Sequence, residues 1–189
     1  MQIKINGSKD VTAIEVYEST NIAALALWEA NNFGWIENEE IFNKEFEKIY
    51  TEGQDKFVDK ALVLGTGSDG NFKVKILVNL PLSDGDTKNI YKSVKGIKMV
   101  TDGKWCIGSP EEIGYRETEA VEKNMVDTLE ITPGIYLFDV YSLLIKDSET
   151  GKAKYLEFVY VITPESKYQS SERNESSKIL SLKYTQSQE

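Results

Sequence analysis

Two hydrophobic periods run along the chain and divide it into a short stretch with helical signals and a longer β part. Val11-Thr12-Ala13-Ile14-Glu15-Val16-Tyr17 is β-branched and bounded by Asp10 and by Ser19-Thr20-Asn21, which predicts a strand, with Gln2 to Ile5 as another before it. Ile22-Ala23-Ala24-Leu25-Ala26-Leu27-Trp28 is rich in good helix formers and has Thr20 or Asn21 as an N-cap, so a short helix is expected there. A clearer helix follows Asn38. Glu39 and Glu40 occupy its first turn, where negative charge suits the helix dipole, and Phe42, Phe46 and Ile49 recur at helical spacing to face a core.

From Lys60 the period changes to two. Ala61 to Leu64 is a buried-type run, Gly65-Thr66-Gly67-Ser68-Asp69-Gly70 is a turn cluster, and Phe72, Val74, Ile76 and Val78 alternate with Lys73, Lys75 and Leu77; together they read as a hairpin. Further strands are expected at Tyr91 to Val94, Ile97 to Val100 and Lys104 to Ile107, the last two joined by the turn Thr101-Asp102-Gly103. The two longest, Ile135 to Ile145 and Ala153 to Thr163, are joined through Asp147-Ser148-Glu149-Thr150-Gly151. Short strands with turn signals between them predict a mainly β fold, an antiparallel β-sandwich or barrel with one or two helices in an N-terminal insert. The expected organisation is one sandwich domain over residues 1–163 with the insert at about 20–57, then a polar extension over 164–189. Leu180, Leu182 and Tyr184 alternate in that extension and suit a late docked strand after a polar excursion through Ser170 to Ser177.

Composition narrows the function. With 40% hydrophobic residues in 189, the chain has the material for a sizeable core, and no apolar run approaches the roughly 18 residues of a membrane helix. Met1 to Gly7 has neither a charged leader nor an apolar segment with a cleavage site, so no secretory signal and a cytoplasmic location are expected. On that expectation Asn6-Gly7-Ser8 and Asn174-Glu175-Ser176 are polar turns rather than glycosylation sites.

The net charge of −9 is unevenly placed. Residues 29–59 carry nine acids against three lysines, and residues 111–130 carry seven against Arg116 and Lys123, whereas Lys60 to Pro110 holds eight lysines and four aspartates. Such acidity opposes binding to a phosphate backbone, which needs clustered Lys and Arg. The acidic stretches suit either ordinary solvated faces or a face made for a basic partner.

Candidate chemistry is sparse. The chain has no histidine, the only side chain whose ordinary pKa lies near neutrality, so Ser-His and Cys-His activation and His-based zinc sites are all excluded. Cys106, between Trp105 and Ile107, suits a buried inert thiol. Glu39/Glu40 and Glu111/Glu112 are sequence neighbours, and nothing in the spacing sets either pair across a cleft as glycoside hydrolysis requires. Asp84-Gly85-Asp86-Thr87-Lys88-Asn89 has Lys88 among its would-be ligands and no closing glutamate, so it reads as a polar turn and not a calcium loop. The glycine cluster 65–70 lacks the Lys-Ser/Thr of a phosphate loop and leads into a strand. No cofactor and no metal are expected. Phe33-Gly34-Trp35-Ile36, amid acids, suits an exposed protein-binding hot spot or a plug under the sandwich rim.

The succession Leu64 to Val74, then Asp102-Gly103-Lys104-Trp105-Cys106-Ile107-Gly108, then Thr132-Pro133-Gly134-Ile135-Tyr136 resembles small bacterial β-sandwich proteins similar in layout to the competence nuclease inhibitor ComJ (Nin). The likeness covers about residues 59–163 and is carried by turn chemistry. It implies an acidic sandwich that inhibits a nuclease, or an immunity protein that neutralises a toxin.

Together these readings predict a non-enzymatic acidic binding protein, an immunity protein or inhibitor docking on the basic surface of a toxin or nuclease. The expected contact residues are Trp35, Glu37, Glu39, Glu40, Glu47, Asp55, Glu111, Glu112, Glu117 and Glu119. Two alternatives stand beside it: a ligand- or carbohydrate-binding sandwich using Trp35 or Trp105, and a structural or phage-derived assembly protein.

Overall fold

The computed structural model describes residues 2–4, 12–52, 59–170 and 179–181. Their strands form two sheets that face each other across a hydrophobic core, with no closed barrel. In chain order the elements are β1 (Gln2–Lys4), β2 (Thr12–Thr20), β3 (Ala24–Glu29), α1 (Glu39–Glu52), β4 (Ala61–Gly65), β5 (Gly70–Val78), α2 (Asp84–Thr87) and β6 (Ile90–Thr101). There follow β7 (Lys104–Gly108), a 3-10 turn (Pro110–Glu112), α3 (Glu117–Glu122), β8 (Asp127–Glu130), β9 (Gly134–Lys146), β10 (Ala153–Pro164), a second 3-10 turn (Glu165–Lys167) and β11 (Ile179–Ser181). One sheet has the order β1-β8-β7-β3-β4-β11 and the other β2-β5-β10-β9-β6.

The fold is mainly β, as the period-two segments predict, but the sheets are mixed rather than purely antiparallel. β1 pairs with β8, β5 with β10 and β4 with β11 in parallel. No described helix is long and apolar enough to cross a membrane. Asp55, the polar excursion beyond Ser170 as far as Ser177, Leu182, Tyr184 and both Asn-X-Ser motifs lie outside the described residues.

Two local expectations are corrected. Residues 22–28 do not form a helix. Thr20 Oγ1 accepts from the N–H groups of Ile22 and Ala24 at 3.2 Å each, as a cap would, but Ala23 then adopts φ 53° and the chain continues as β3. β3 is buried on both faces, with Leu25 and Leu27 in the inter-sheet core and Ala24, Ala26 and Trp28 on the other side. A strand buried on both faces shows no polar alternation, so its pattern does not distinguish it from a helix. β3 lies between β7 and β4 in its sheet.

The other correction concerns the Gly65–Gly70 turn. It does not join a paired hairpin, because it passes the chain from one sheet to the other, and Thr101–Gly103, the turn expected between β6 and β7, does the same. The turn chemistry is present at both. Thr66 Oγ1 donates to Ser68 O at 2.8 Å, while Gly103, at φ 127°, donates its N–H to Thr101 Oγ1 at 2.9 Å. These contacts specify a reversal, not which strand lies beside the next. β9 and β10 do form the expected antiparallel hairpin, and β6 is a single strand bulged between Val94 and Ile97.

Inside the sandwich Trp105 is buried, with its ring edge-on to Tyr136 and Phe138 at centroid distances of 5.4 and 5.1 Å. Aromatic packing of this kind is worth about 0.5–1.5 kcal/mol beyond area burial. Cys106 points the other way and is also buried, and desolvation pushes its thiol up to about 12, which suits an inert side chain.

Candidate functional site

The outer side of the β1-β8-β7-β3-β4-β11 sheet is covered by a layer built from the two acidic stretches. Asn38 caps α1, its Oδ1 accepting from Ile41 N at 3.0 Å, and Phe42 stacks on Phe46 at 5.3 Å. Phe33, Ile36 and Phe42 from one stretch pack with Ile113, Ala120 and Val126 from the other, over Trp28, Val63 and Cys106 of the sheet. The two stretches meet at Gly114. There φ is +82°, and a Cβ would lie 2.6 Å from Ile36 Cβ and 2.9 Å from Phe33 O. Glycine is required at this junction both for its backbone and for the space it leaves.

Glu117 bolts the layer down. It is 7% exposed, and its carboxylate accepts from Trp28 Nε1 at 2.9 Å and from Asn31 N at 2.7 Å. Both donors would be stranded by its removal, which makes Glu117 a structural group rather than a contact offered to a partner.

Of the other expected contacts, Glu37, Glu39, Glu40, Glu47 and Glu119 are exposed in this layer, and Glu111 is half-buried. Glu119 is engaged by Lys123 one helical turn on. Glu112 is buried, and desolvation together with Glu111 and Glu119 raises its carboxyl against the opposing effect of Arg116. Trp35 is 37% exposed, with its ring 6.4 Å from that of buried Phe33. The Phe33–Ile36 loop therefore combines a plug, Phe33 and Ile36, with one outward aromatic.

Two cavities open along the acidic layer and share Glu111. One, of about 310 Å³, is lined by Ile22, Glu39, Phe42, Phe46, Tyr115 and Arg116 among others. The second, of about 370 Å³, lies where the end of β2 meets the Ser109–Glu112 turn and Asn124–Asp127. Glu18 lines it and is 4% exposed, with Oε1 lacking a hydrogen-bond partner. Burial, then the neighbouring Asp127, raises the Glu18 carboxyl from 4.5 to about 8.

Glu18 and Asp127 are absent from the contact residues expected from sequence. A signal for Glu18 exists: in β2 the inward positions are Ile14, Val16, Glu18 and Thr20, so an acid stands on a buried stripe. Tyr17 and Met125, 73% and 53% exposed at the rim of the same cavity, carry no such signal.

No protein-family model matches the chain, and no curated protein matches it. Two solved structures are similar. One, described as crocagin biosynthetic gene J, is 14% identical with a TM-score of 0.46, over 82% of this chain and 97% of that one. The other is ComJ from Bacillus subtilis, described as an inhibitor of the DNA-degrading activity of NucA. It is 10% identical with a TM-score of 0.48, over the same shares of the two chains. The chain thus resembles ComJ-like proteins.

Proposed function

We propose that this is a non-enzymatic acidic binding protein, an inhibitor or immunity protein that docks on the basic surface of a nuclease or toxin. One observation carries the reading: the two acidic stretches, far apart in sequence, lie side by side in a single layer with exposed apolar side chains among them. Ile22 and Trp35 belong to this layer, and Tyr17 and Met125 stand at its edge. Apolar anchors among charges are the anatomy of a protein interface, and a one-sign field speeds the approach of an oppositely charged partner. The carbohydrate alternative is weakened at Trp105, which is wholly buried and offers no platform.

The test is binding to a purified basic nuclease or toxin encoded beside this chain. Affinity should fall steeply from low to high ionic strength, and the double substitution Glu37→Lys with Glu111→Lys should weaken it about tenfold or more. Affinity indifferent to both salt and the double substitution would sink the reading.

A further inference from the structure

We propose that the cavity between the end of β2 and the Ser109–Glu112 turn is an arginine pocket, receiving one guanidinium of the partner among Glu18, Asp127, Glu111 and Glu112. The inference rests on the docking reading above and names the chemistry at its centre.

Cavity size, charge and an orphaned atom point the same way. At about 370 Å³ the space admits a guanidinium with attendant water, and among the described residues its charged lining consists of those four acids. Elsewhere the fold gives its buried carboxylates donors. Glu117 has Trp28 Nε1 and Asn31 N, Glu29 has the N–H of Asp102 at 2.9 Å on Oε1 although its Oε2 is unpartnered, and Glu157 has Lys73 and Lys75 at 4.0 and 3.6 Å. Glu18 is as buried as these, and what sets it apart is that an unpartnered Oε1 is combined with a second acid, Asp127, facing its carboxyl in an open cavity. A buried polar atom without a partner costs about 1–3 kcal/mol, which a donor arriving from outside would recover.

The kind of donor follows from the geometry. A planar fork can bond two neighbouring carboxylates at once, which an ammonium does less well. The rim supplies what an arginine needs besides charge: exposed Tyr17 offers a ring face for the cation and Met125 an apolar surface for the stem. A metal ion is the weaker occupant, because no cluster of three acids among the described residues is arranged to hold one.

The test titrates ethylguanidinium, with butylammonium as comparator, into the full-length protein at pH 9, where Glu18 is ionised, and follows the Met125 methyl and the Glu18 and Asp127 carboxyl carbons by NMR. Saturable shifts at all three are expected, with ethylguanidinium bound several-fold more tightly. Glu18→Gln, isosteric and neutral, should lower that affinity about tenfold, and Glu111→Gln at the rim about threefold. The absence of saturable shifts, or shifts that Glu18→Gln leaves unchanged, would overturn the pocket. If the basic partner still bound with full salt dependence in that event, the docking face would stand without it. If guanidinium bound while no basic protein did, the pocket would stand and the docking reading would fall.

Discussion

The two outer faces of the sandwich treat their charges in opposite ways. On the β2-β5-β10-β9-β6 sheet, Lys73 lies 3.0 Å from Glu15 and 4.0 Å from Glu157, and Lys75 lies 3.6 Å from Glu157 and 2.6 Å from Asp86. These charges alternate in sign and satisfy one another across strands. Beside them Leu77, Tyr141, Leu143 and Val159 are covered by Leu80 and Leu82. On the acidic layer Glu37, Glu39 and Glu40 have no ion-pair partner among the described residues, and apolar side chains stand exposed nearby. A face whose charges are answered internally has little to offer a partner, so the lysine-bearing sheet is the natural control surface for the acidic one.

The largest test of that contrast is pH, because the two sides respond with opposite sign. Burial and Asp127 raise Glu18 from 4.5 to about 8, so between those values the folded chain holds a proton that the unfolded chain has lost. Stability therefore falls as pH rises through that window, by roughly 3–5 kcal/mol for Glu18, and Glu29 and Glu112, also raised, add in the same direction. Asp86 behaves oppositely. Burial pushes it up, but hydrogen bonds from Lys75 and Ser83 outweigh this and hold it below 3.8, so its contribution is present above the usual carboxylate range and lost in acid. Urea midpoints across pH should fall from pH 5 to 9 in the native chain and flatten in Glu18→Gln; an unchanged slope would remove Glu18 as the cause.

Next in size is Gly114→Ala, which drives a Cβ into Ile36 at the junction of the acidic stretches and strains a left-handed backbone. A loss of roughly 2–4 kcal/mol in chemical denaturation is expected. Gly34→Ala in the same layer, where a Cβ meets nothing within 4 Å, should cost far less.

Charge reversal separates the faces by function. Glu37→Lys with Glu111→Lys should weaken partner binding about tenfold with little change in stability, while Lys73→Gln on the opposite face should leave affinity unaltered. Equal effects from both faces would break the comparison. The smallest effect belongs to Glu15→Gln: half-exposed Glu15 is only one of two acids beside Lys73, so a change within about 0.5 kcal/mol is expected by thermal melting.

Much of this was legible in the chain. The Asn38 cap, the Phe42 and Phe46 stripe and the β9–β10 hairpin follow from local spacing and turn chemistry. β3 was not, because an apolar run buried on both faces carries no period. The site was half legible. The exposed acids of both stretches could be counted, but Glu117, in the same composition, turned inward to satisfy Trp28 and Asn31. Glu18 betrayed itself only as an acid on a buried alternation.

What the sequence determined by itself is where the chain is extended, where it turns, which residues are apolar enough to bury, and that its acids fall in two blocks. Only the tertiary structure decided that Gly65–Gly70 and Thr101–Gly103 would turn between sheets rather than within one, that the acid blocks would share a layer, and that Glu18 would face Asp127. The reason is range. Turn and cap bonds act over a few residues and are written locally, whereas strand partnership and the meeting of distant carboxylates follow from burying two sheet faces at once, an energy that belongs to the whole chain.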